Sequence, residues 1–262
     1  MKKLFITGLF TVLVASAFGQ SALFGVDSSV KAHRGFILNG NFTADIPLLD
    51  MAKRFGFDYR LGPSISYKTT SNWIFGVKTD FILGNNIKED SLLINVRDRY
   101  ATNNGKLVEF ININGNRIGI PIYERGYMIG LSAGKIFNND VDHPDNGWEV
   151  LTTAGFMQHK INIFDKDFDV AQVDYGYKKG YDRLTNGAFV EQFVGYMYFA
   201  KNKLINFNIG VDAVFGFTQG RRDYLFDVMR ADNAKRKDWM VGLRAAWMIP
   251  IFKRKSEDIS FE

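Results

Sequence analysis

From Phe57 to Leu83 apolar and polar residues alternate with a period of two. Phe57, Tyr59, Leu61, Ile65 and Tyr67 share one parity, and Asp58, Arg60, Gly62, Ser64, Ser66 and Lys68 take the other. After Thr69 to Asn72 the pattern resumes, with Trp73, Phe75, Val77, Phe81 and Leu83 opposing Gly76, Lys78 and Asp80. Successive side chains of a strand point to opposite faces, so this pattern predicts a hairpin with one aromatic face and one small or charged face.

The same signature recurs along the chain. Gly35 to Ile46 sets Phe36, Leu38, Phe42, Ala44 and Ile46 against Asn39, Asn41, Thr43 and Asp45. Pro47 is expected to end that strand, with a helical turn or two over Leu48 to Arg54. A fourth strand carries Tyr127, Ile129 and Leu131 against Gly130, Ser132 and Gly134, and a fifth spans Trp148 to Gln158. The sixth, Ala188 to Phe199, is apolar on both faces, so its phase stays open. The seventh runs from Ile205 to Phe217, with Asp212 on its polar face, and the last from Trp239 to Phe252, with Arg244 on its polar face. Within the longest link, Ser91 to Tyr100 has helical spacing, and Val108 to Ile122 reads as a small hairpin whose Asn114-Gly115 suits a type I′ turn.

Eight strands joined by alternately short and long links predict an all-β, antiparallel up-and-down transmembrane β-barrel, with short periplasmic turns and long extracellular loops. A soluble lipocalin-like barrel shows the same alternation with its faces exchanged. Two details favour the membrane. The polar parity is dominated by small residues suited to a narrow lumen, and aromatics (Phe57, Tyr67, Trp73, Trp148, Phe199, Trp239) sit near strand ends, where interfacial girdles lie. Pro63 and Pro250 oppose the strand assignment, since proline cannot donate to a ladder; a bulge at Gly62-Pro63 and a position beyond the last full pair for Pro250 reconcile them.

Composition narrows the compartment. Lys2-Lys3, the apolar run Leu4 to Val14 and Ala15-Ser16-Ala17 read as a secretory signal peptide over residues 1–20. Residues 21–33 are then a leader, 34–252 the barrel and 253–262 a short charged periplasmic tail. Removal of Lys2 and Lys3 lowers the formal charge of +5 by two, too little to suggest nucleic acid as a partner. Cysteine is absent, which excludes disulfides and a lipidated N-terminal cysteine.

The eight strands and signal peptide resemble the OmpA/OmpX-type outer-membrane barrels. Met51 to Gly56, Tyr67-Lys68-Thr69 and Asn72-Trp73 are similar to segments of barrels common in Bacteroidota envelopes. The resemblance implies localisation in the bacterial outer membrane. It departs from the OmpA pattern in that residues 253–262 are too few for a peptidoglycan-binding domain. That charged tail also follows Phe252, where such barrels often end on an aromatic.

The candidate chemistry divides between lumen and loops. Asp45, Asp58, Asp80 and Asp212 share the inward parity with Arg60, Lys68, Lys78 and Arg244, equal numbers of acids and bases expected to pair in a packed interior. Arg221, Arg222, Arg230, Lys235, Arg236 and Lys237 form a basic loop, a candidate contact for lipopolysaccharide phosphates or a partner protein. Some eight-stranded barrels are lipid A hydrolases, which need a nucleophile beside a histidine. Of His33, His143 and His159 none has a serine at useful spacing, and His159 shares the inward parity. Asp165, Asp167 and Asp169 alternate but lack the glycine turn and distal glutamate of a calcium loop, so they read as a solvated acidic loop.

No cofactor or metal is expected, and no enzymatic activity. Ordering roughly 40 loop residues costs conformational entropy that a packed crown offsets when it has something to contact. The expected role is an accessory or scaffold subunit docking a larger outer-membrane protein complex. The alternatives are a self-standing, adhesin-like barrel contacting outer-membrane lipid and lipopolysaccharide, and a lipid A-modifying hydrolase. A filled lumen implies no steady conductance.

Overall fold

The computed structural model describes residues 32–89, 91–98, 106–138, 140, 142–168, 170–200 and 206–252. The expected signal peptide, most of the expected leader, the expected tail, Tyr100, Asp169 and Ile205 lie outside them. The strands are β1 (Gly35–Leu48), β2 (Asp58–Lys68), β3 (Trp73–Gly84), β4 (Leu107–Ile111), β5 (Arg117–Phe137), β6 (Gly147–Ile163), β7 (Thr185–Phe199), β8 (Asn206–Gly220), β9 (Arg222–Leu225), β10 (Arg230–Asp232) and β11 (Lys235–Phe252). One α-helix among the described residues, α1 (Leu49–Arg54), joins β1 to β2.

Antiparallel pairing runs β1-β2-β3-β5-β6-β7-β8-β11 and closes through β11 on β1, giving an eight-stranded barrel. Closure leaves no edge within the membrane, where an unpaired peptide group has no water to bond. The links 69–72, 138–146 and 200–205 lie at the end that holds Gly35 and Phe252. The helix and the three long loops stand at the other, extracellular end.

Burial follows parity. Phe36, Phe42, Leu61, Phe81, Leu131, Val211, Leu243 and Trp247 are exposed on the outer wall, while Ile37, Asp45, Arg60, Phe193, Asp212 and Met248 are buried inside. Along β5 the outward residues from Tyr127 to Ala133 are bracketed by Arg125 and Lys135, about ten residues apart, the span of a membrane-crossing strand. This is the outer surface of an outer-membrane barrel, crossed by strands; no helix among the described residues is long and apolar enough to cross.

Several boundaries differ from the sequence expectations, each for a local reason. Pro47 stays within β1, paired with Met240, because its missing donor falls where the β2 ladder has already ended at Asp45–Asp58. Pro63 makes no bulge. The β2–β3 register is the same at Leu61–Phe81 and Ser64–Lys78, so the ladder skips Gly62 and Pro63 without shifting. Gly62 is needed there, since a Cβ would lie 1.9 Å from the Thr79 carbonyl oxygen. Pro250 pairs with Ile37 of β1 but lies past the last β8 pair, Trp247–Phe207.

Residues 91–97 form consecutive turns rather than a helix, closed by Ile94 N–H on Ser91, Val96 N–H on Leu93 and Arg97 N–H on Leu93. The β4–β5 hairpin does not use a type I′ turn. Only Gly115 has positive φ (+80°), and Gly115 N–H and Asn112 N–H bond Asn112 and Asn116 carbonyls, a three-residue loop ending in a left-handed glycine. Phe199 is not a girdle residue: β7 exposes even positions, so Tyr196 and Tyr198 face out while Phe199 turns to the periplasmic mouth against Phe252. β5 and β6 both run past the membrane band into the loops.

Candidate functional site

Inward side chains of β1, β2, β3, β7, β8 and β11 build an ionic network across the lumen. At mid-height Arg60, wholly buried, donates to Asp45 at 2.7 and 3.1 Å and to Asp212 at 2.9 Å, with Glu191 at 3.4 Å and Asp80 at 3.5 Å. Lys78 bonds Asp80 at 2.8 Å and also Glu191. Arg244 reaches Glu191 at 3.0 Å and Asp212 at 3.4 Å, its guanidinium stacked 3.5 Å from the Phe193 ring centre. Bidentate and shared bonds of this kind satisfy charges that would otherwise be prohibitive to bury.

Below this layer Glu149 accepts from Asn208, Ser132 and Thr153 hydroxyls meet at 2.8 Å, and Asn41 donates to Ser64 at 3.1 Å. A cavity beside Ser66, Lys78 and Ala246 holds about 30 Å³, the space of roughly one water. The periplasmic mouth is closed by the 138–146 turn. There Lys68 donates to Asp145 at 2.6 Å, His33 Nδ1 meets the same carboxylate at 2.6 Å, and Asn146 accepts from Phe199 N–H at 2.7 Å.

Towards the extracellular mouth, Asp238 collects Arg54 of α1 at 2.5 Å, Thr218 at 2.5 Å and His159 Nε2 at 3.0 Å. His159 is wholly buried against the Phe55 ring, and among the described residues no serine hydroxyl reaches it. His143 pairs with Asp140 in the periplasmic turn.

Thus all eight lumen charges expected from parity are buried, but acids and bases are not balanced. Among the described residues Glu124, Glu149, Glu191 and Asp238 also face inward, joined on the cationic side by Arg54 of α1. Glu191 is not singled out by alternation because both faces of β7 are apolar; as the strand's one charged side chain it marks the phase. Asp58 and Glu124 sit either side of Gly84 in one cross-strand row, and none of their four carboxyl oxygens has a hydrogen-bond partner among the described residues. A Cβ at Gly84 would lie 2.6 Å from Glu124 Oε2, so glycine makes the room this pair occupies.

The loops form a second polar structure over a core of their own. Leu92, Leu93, Val108, Phe110, Ile120, Val170, Val173 and Tyr181 are buried in one cluster with barrel residues Met128 and Met157. Arg183, 2 % exposed, binds Asp227 through two bonds of 2.8 Å and Glu89 at 2.7 Å. Burial opposes its charge, but Asp227 and Glu89 outweigh burial and raise its pKa. Arg222 grips Asp182 at 2.7 and 2.5 Å, which likewise raises its pKa, and Arg236 pairs with Asp232 at 2.6 Å.

The basic loop is therefore not one free patch. Arg222 and Arg236 are neutralised within the crown, and Arg221 donates to Asn186 at 2.7 Å. Arg230, Lys235 and Lys237 are exposed and have no carboxylate within 4.0 Å among the described residues. Asp165 is not solvated; it turns in to accept Val170 N–H at 3.0 Å, while Asp167 faces water, and no metal-holding cluster occurs among the described residues.

Above this core the crown exposes large apolar side chains, among them Ile94, Ile113 at 70 %, Phe168, Tyr177, Tyr224 and Met229 at 73 %. Tyr177, Tyr181 and Tyr224 surround Phe226 with ring centres 5.5 to 6.3 Å away. Ala171, Asp174, Gly176, Tyr177 and Phe226 line an open cleft of about 530 Å³. Leu93, Phe168, Arg183 and Met229 adopt left-handed φ of 50 to 59°, a strain of order 1 kcal/mol or more each that only firm surroundings maintain.

No protein-family profile and no curated relative matches the sequence. Among solved structures the chain is similar to Neisserial surface protein A, at 11% identity and a TM-score of 0.44, over 84% of this chain and 100% of that one. It is similar to Ail of Yersinia pestis at 13% identity and a TM-score of 0.37, over 82% and 98%. The N-terminal β-barrel domain of Pseudomonas aeruginosa OprF aligns at 12% identity and a TM-score of 0.34, over 83% and 99%. Strand pairing and the outward apolar band, independently of these likenesses, make the chain an eight-stranded outer-membrane barrel.

Proposed function

We propose that the protein is a non-enzymatic outer-membrane scaffold whose extracellular crown docks another envelope component as part of a larger complex. The observation that carries this reading is the crown itself. It has a buried core, paired arginines and strained backbone, yet it holds Tyr177, Tyr224 and Met229 out to solvent. Large apolar side chains exposed on an ordered support are characteristic of an interaction site. The lumen supports the same reading, because among the described residues interlocked ion pairs cross it at mid-height beside a cavity of only about 30 Å³.

The test is mild-detergent affinity purification from outer membranes of the C-terminally tagged protein beside a Tyr177→Ala/Met229→Ala variant. A large stoichiometric companion retained by the first and lost by the second is expected. A lone monomer in both cases would sink the docking reading. A hydrolase is opposed by the burial of His159, and altered lipid A in a His159→Ala strain would reopen it.

A second reading, direct contact with lipopolysaccharide by a self-standing barrel, is favoured by Arg230, Lys235 and Lys237, exposed and unneutralised among the described residues. Lys235 and Lys237 point outward on β11 just above Trp239, the height of the outer headgroups.

A further inference from the structure

The β5–β6 ladder places Arg125 directly opposite Lys160, both on the outward parity. Like charges facing one another on one side of an antiparallel pair repel, since their Cβ atoms stand only about 5 Å apart. Nothing in the protein neutralises them: among the described residues no carboxylate lies within 4.0 Å of either side chain, and Glu124 and His159 next to them point into the lumen. Arg125 is held by the Gly84 and Glu124 carbonyls at 3.1 and 2.6 Å and lies 4.5 Å from the Tyr123 ring centre. The guanidinium is thus positioned without being discharged.

The pair does not stand alone. One step down, the outward row continues through cross-strand neighbours Tyr127, Gln158, Asn186, Gln219 and Lys235. Asn186 donates to Gln158 at 3.4 Å, and Arg221 donates to Asn186 at 2.7 Å and to Gln219 at 3.5 Å. The Arg125–Lys160 pair and, in the next outward row, Arg221 and Lys235 beside the linked amides of Gln158, Asn186 and Gln219 thus form a belt of two adjacent rows with no carboxylate in either. Beneath it Tyr127 and Phe156 pack 6.3 Å apart, and then comes the apolar wall of Ile129 and Leu131.

We propose that this belt is a binding surface for the phosphates of a lipid in the outer leaflet, a bis-phosphorylated lipid A. The apolar band fixes the height: acyl chains lie against Ile129, Leu131 and Phe156, and that brings the headgroup level with Arg125 and Lys160. Guanidinium and ammonium groups suit a phosphate, the first by paired bonds and the second as a point charge. The proposal deepens the lipid-contact reading, shares with it only Lys235, and is independent of crown docking.

The experiment is native mass spectrometry of the purified full-length protein incubated with bis-phosphorylated lipid A, with the same lipid dephosphorylated, and with inorganic phosphate as competitor. An Arg125→Gln/Lys160→Gln variant is compared with a Lys235→Gln/Lys237→Gln variant and the unaltered protein. Retention of the phosphorylated lipid is expected to fall about tenfold or more in the first variant, because two charge-assisted contacts to phosphate are lost. Unchanged retention there would overturn the belt, and unchanged retention in both variants would overturn lipid contact altogether.

Equal binding of dephosphorylated lipid, or displacement by millimolar inorganic phosphate, would also overturn it, the latter marking a free-anion site. Heat-modifiability checks that the variants fold. If the first does not, a salt titration of the unaltered protein decides: retention must fall steeply with salt, and salt-independent retention contradicts the proposal.

Discussion

Arg60 is the residue on which the mid-lumen network depends most. It is wholly buried and is the only cation within 4.0 Å of Asp45 among the described residues, whereas Asp80, Glu191 and Asp212 keep Lys78 and the latter two also Arg244. Arg60→Gln would leave the Asp45 carboxylate buried without a counter-charge. It would also remove bonds of 2.7, 2.9 and 3.1 Å. Breaking a buried ion pair by deleting one partner costs about 3–5 kcal/mol, a fall of some 10² to 10³·⁵ in the folding equilibrium constant.

The assay is reversible urea unfolding in lipid vesicles, followed by the heat-modifiable band shift. Adding Asp45→Asn to Arg60→Gln removes the stranded charge and is expected to recover at least about 1 kcal/mol, a non-additivity typical of residues in one network. A loss below about 1 kcal/mol for Arg60→Gln, or a double variant no more stable than the single, would refute the reasoning.

Three further outcomes follow from the same geometry. Asp58→Asn or Glu124→Gln is expected to be neutral or stabilising in the same urea assay, because neither carboxyl has a hydrogen-bond partner and Asp58 lies opposite Asp45; a loss above about 2 kcal/mol in both would contradict this. Asp50 ties α1 to β11 by accepting Lys237 N–H at 3.0 Å, and that bond, then Lys53, lowers its pKa below the ordinary 3.8. A depressed carboxyl stabilises above its unfolded pKa and loses that contribution as pH falls through the folded value. Exchange protection of the Lys237 amide should therefore be flat from pH 8 to 5 and drop below about 4; a drop near neutrality would count against it. Arg183→Met should leave the barrel's heat-modifiability intact while opening the crown to proteolysis near residues 180–184 and 225–229, since it strands Asp227 and Glu89; an equally resistant crown would show that the arginine is dispensable.

How far the sequence could be read depended on whether the relevant partner was local. Parity alone placed Asp45, Arg60, Lys78 and Asp212 in one lumen, because alternation on a closed barrel leaves no other place for them. It failed on β7, where apolar residues on both faces hid the inward turn of Glu191 and sent Phe199 to the wrong side. It also missed Asp238 at the extracellular start of β11, where alternation had not yet become regular. In the loops the charges were visible but their pairing was not. Arg222 meets Asp182, and Arg183 meets Asp227, across gaps that no spacing rule spans. The basic loop consequently looked like a single patch when two of its six cations, Arg222 and Arg236, are internal to the crown. The Arg125–Lys160 pair depends on register, which emerges only once β5 and β6 are aligned.

The central claim is that the crown, rather than the lumen, is where this barrel acts. The most direct measurement is affinity isolation of the tagged protein from outer membranes in mild detergent, beside the Tyr177→Ala/Met229→Ala variant and with both checked for a folded barrel. The account predicts a reproducible, stoichiometric envelope partner with the unaltered protein that disappears when those two side chains are cut back. A folded monomer from both preparations, or a partner retained equally by both, would contradict it.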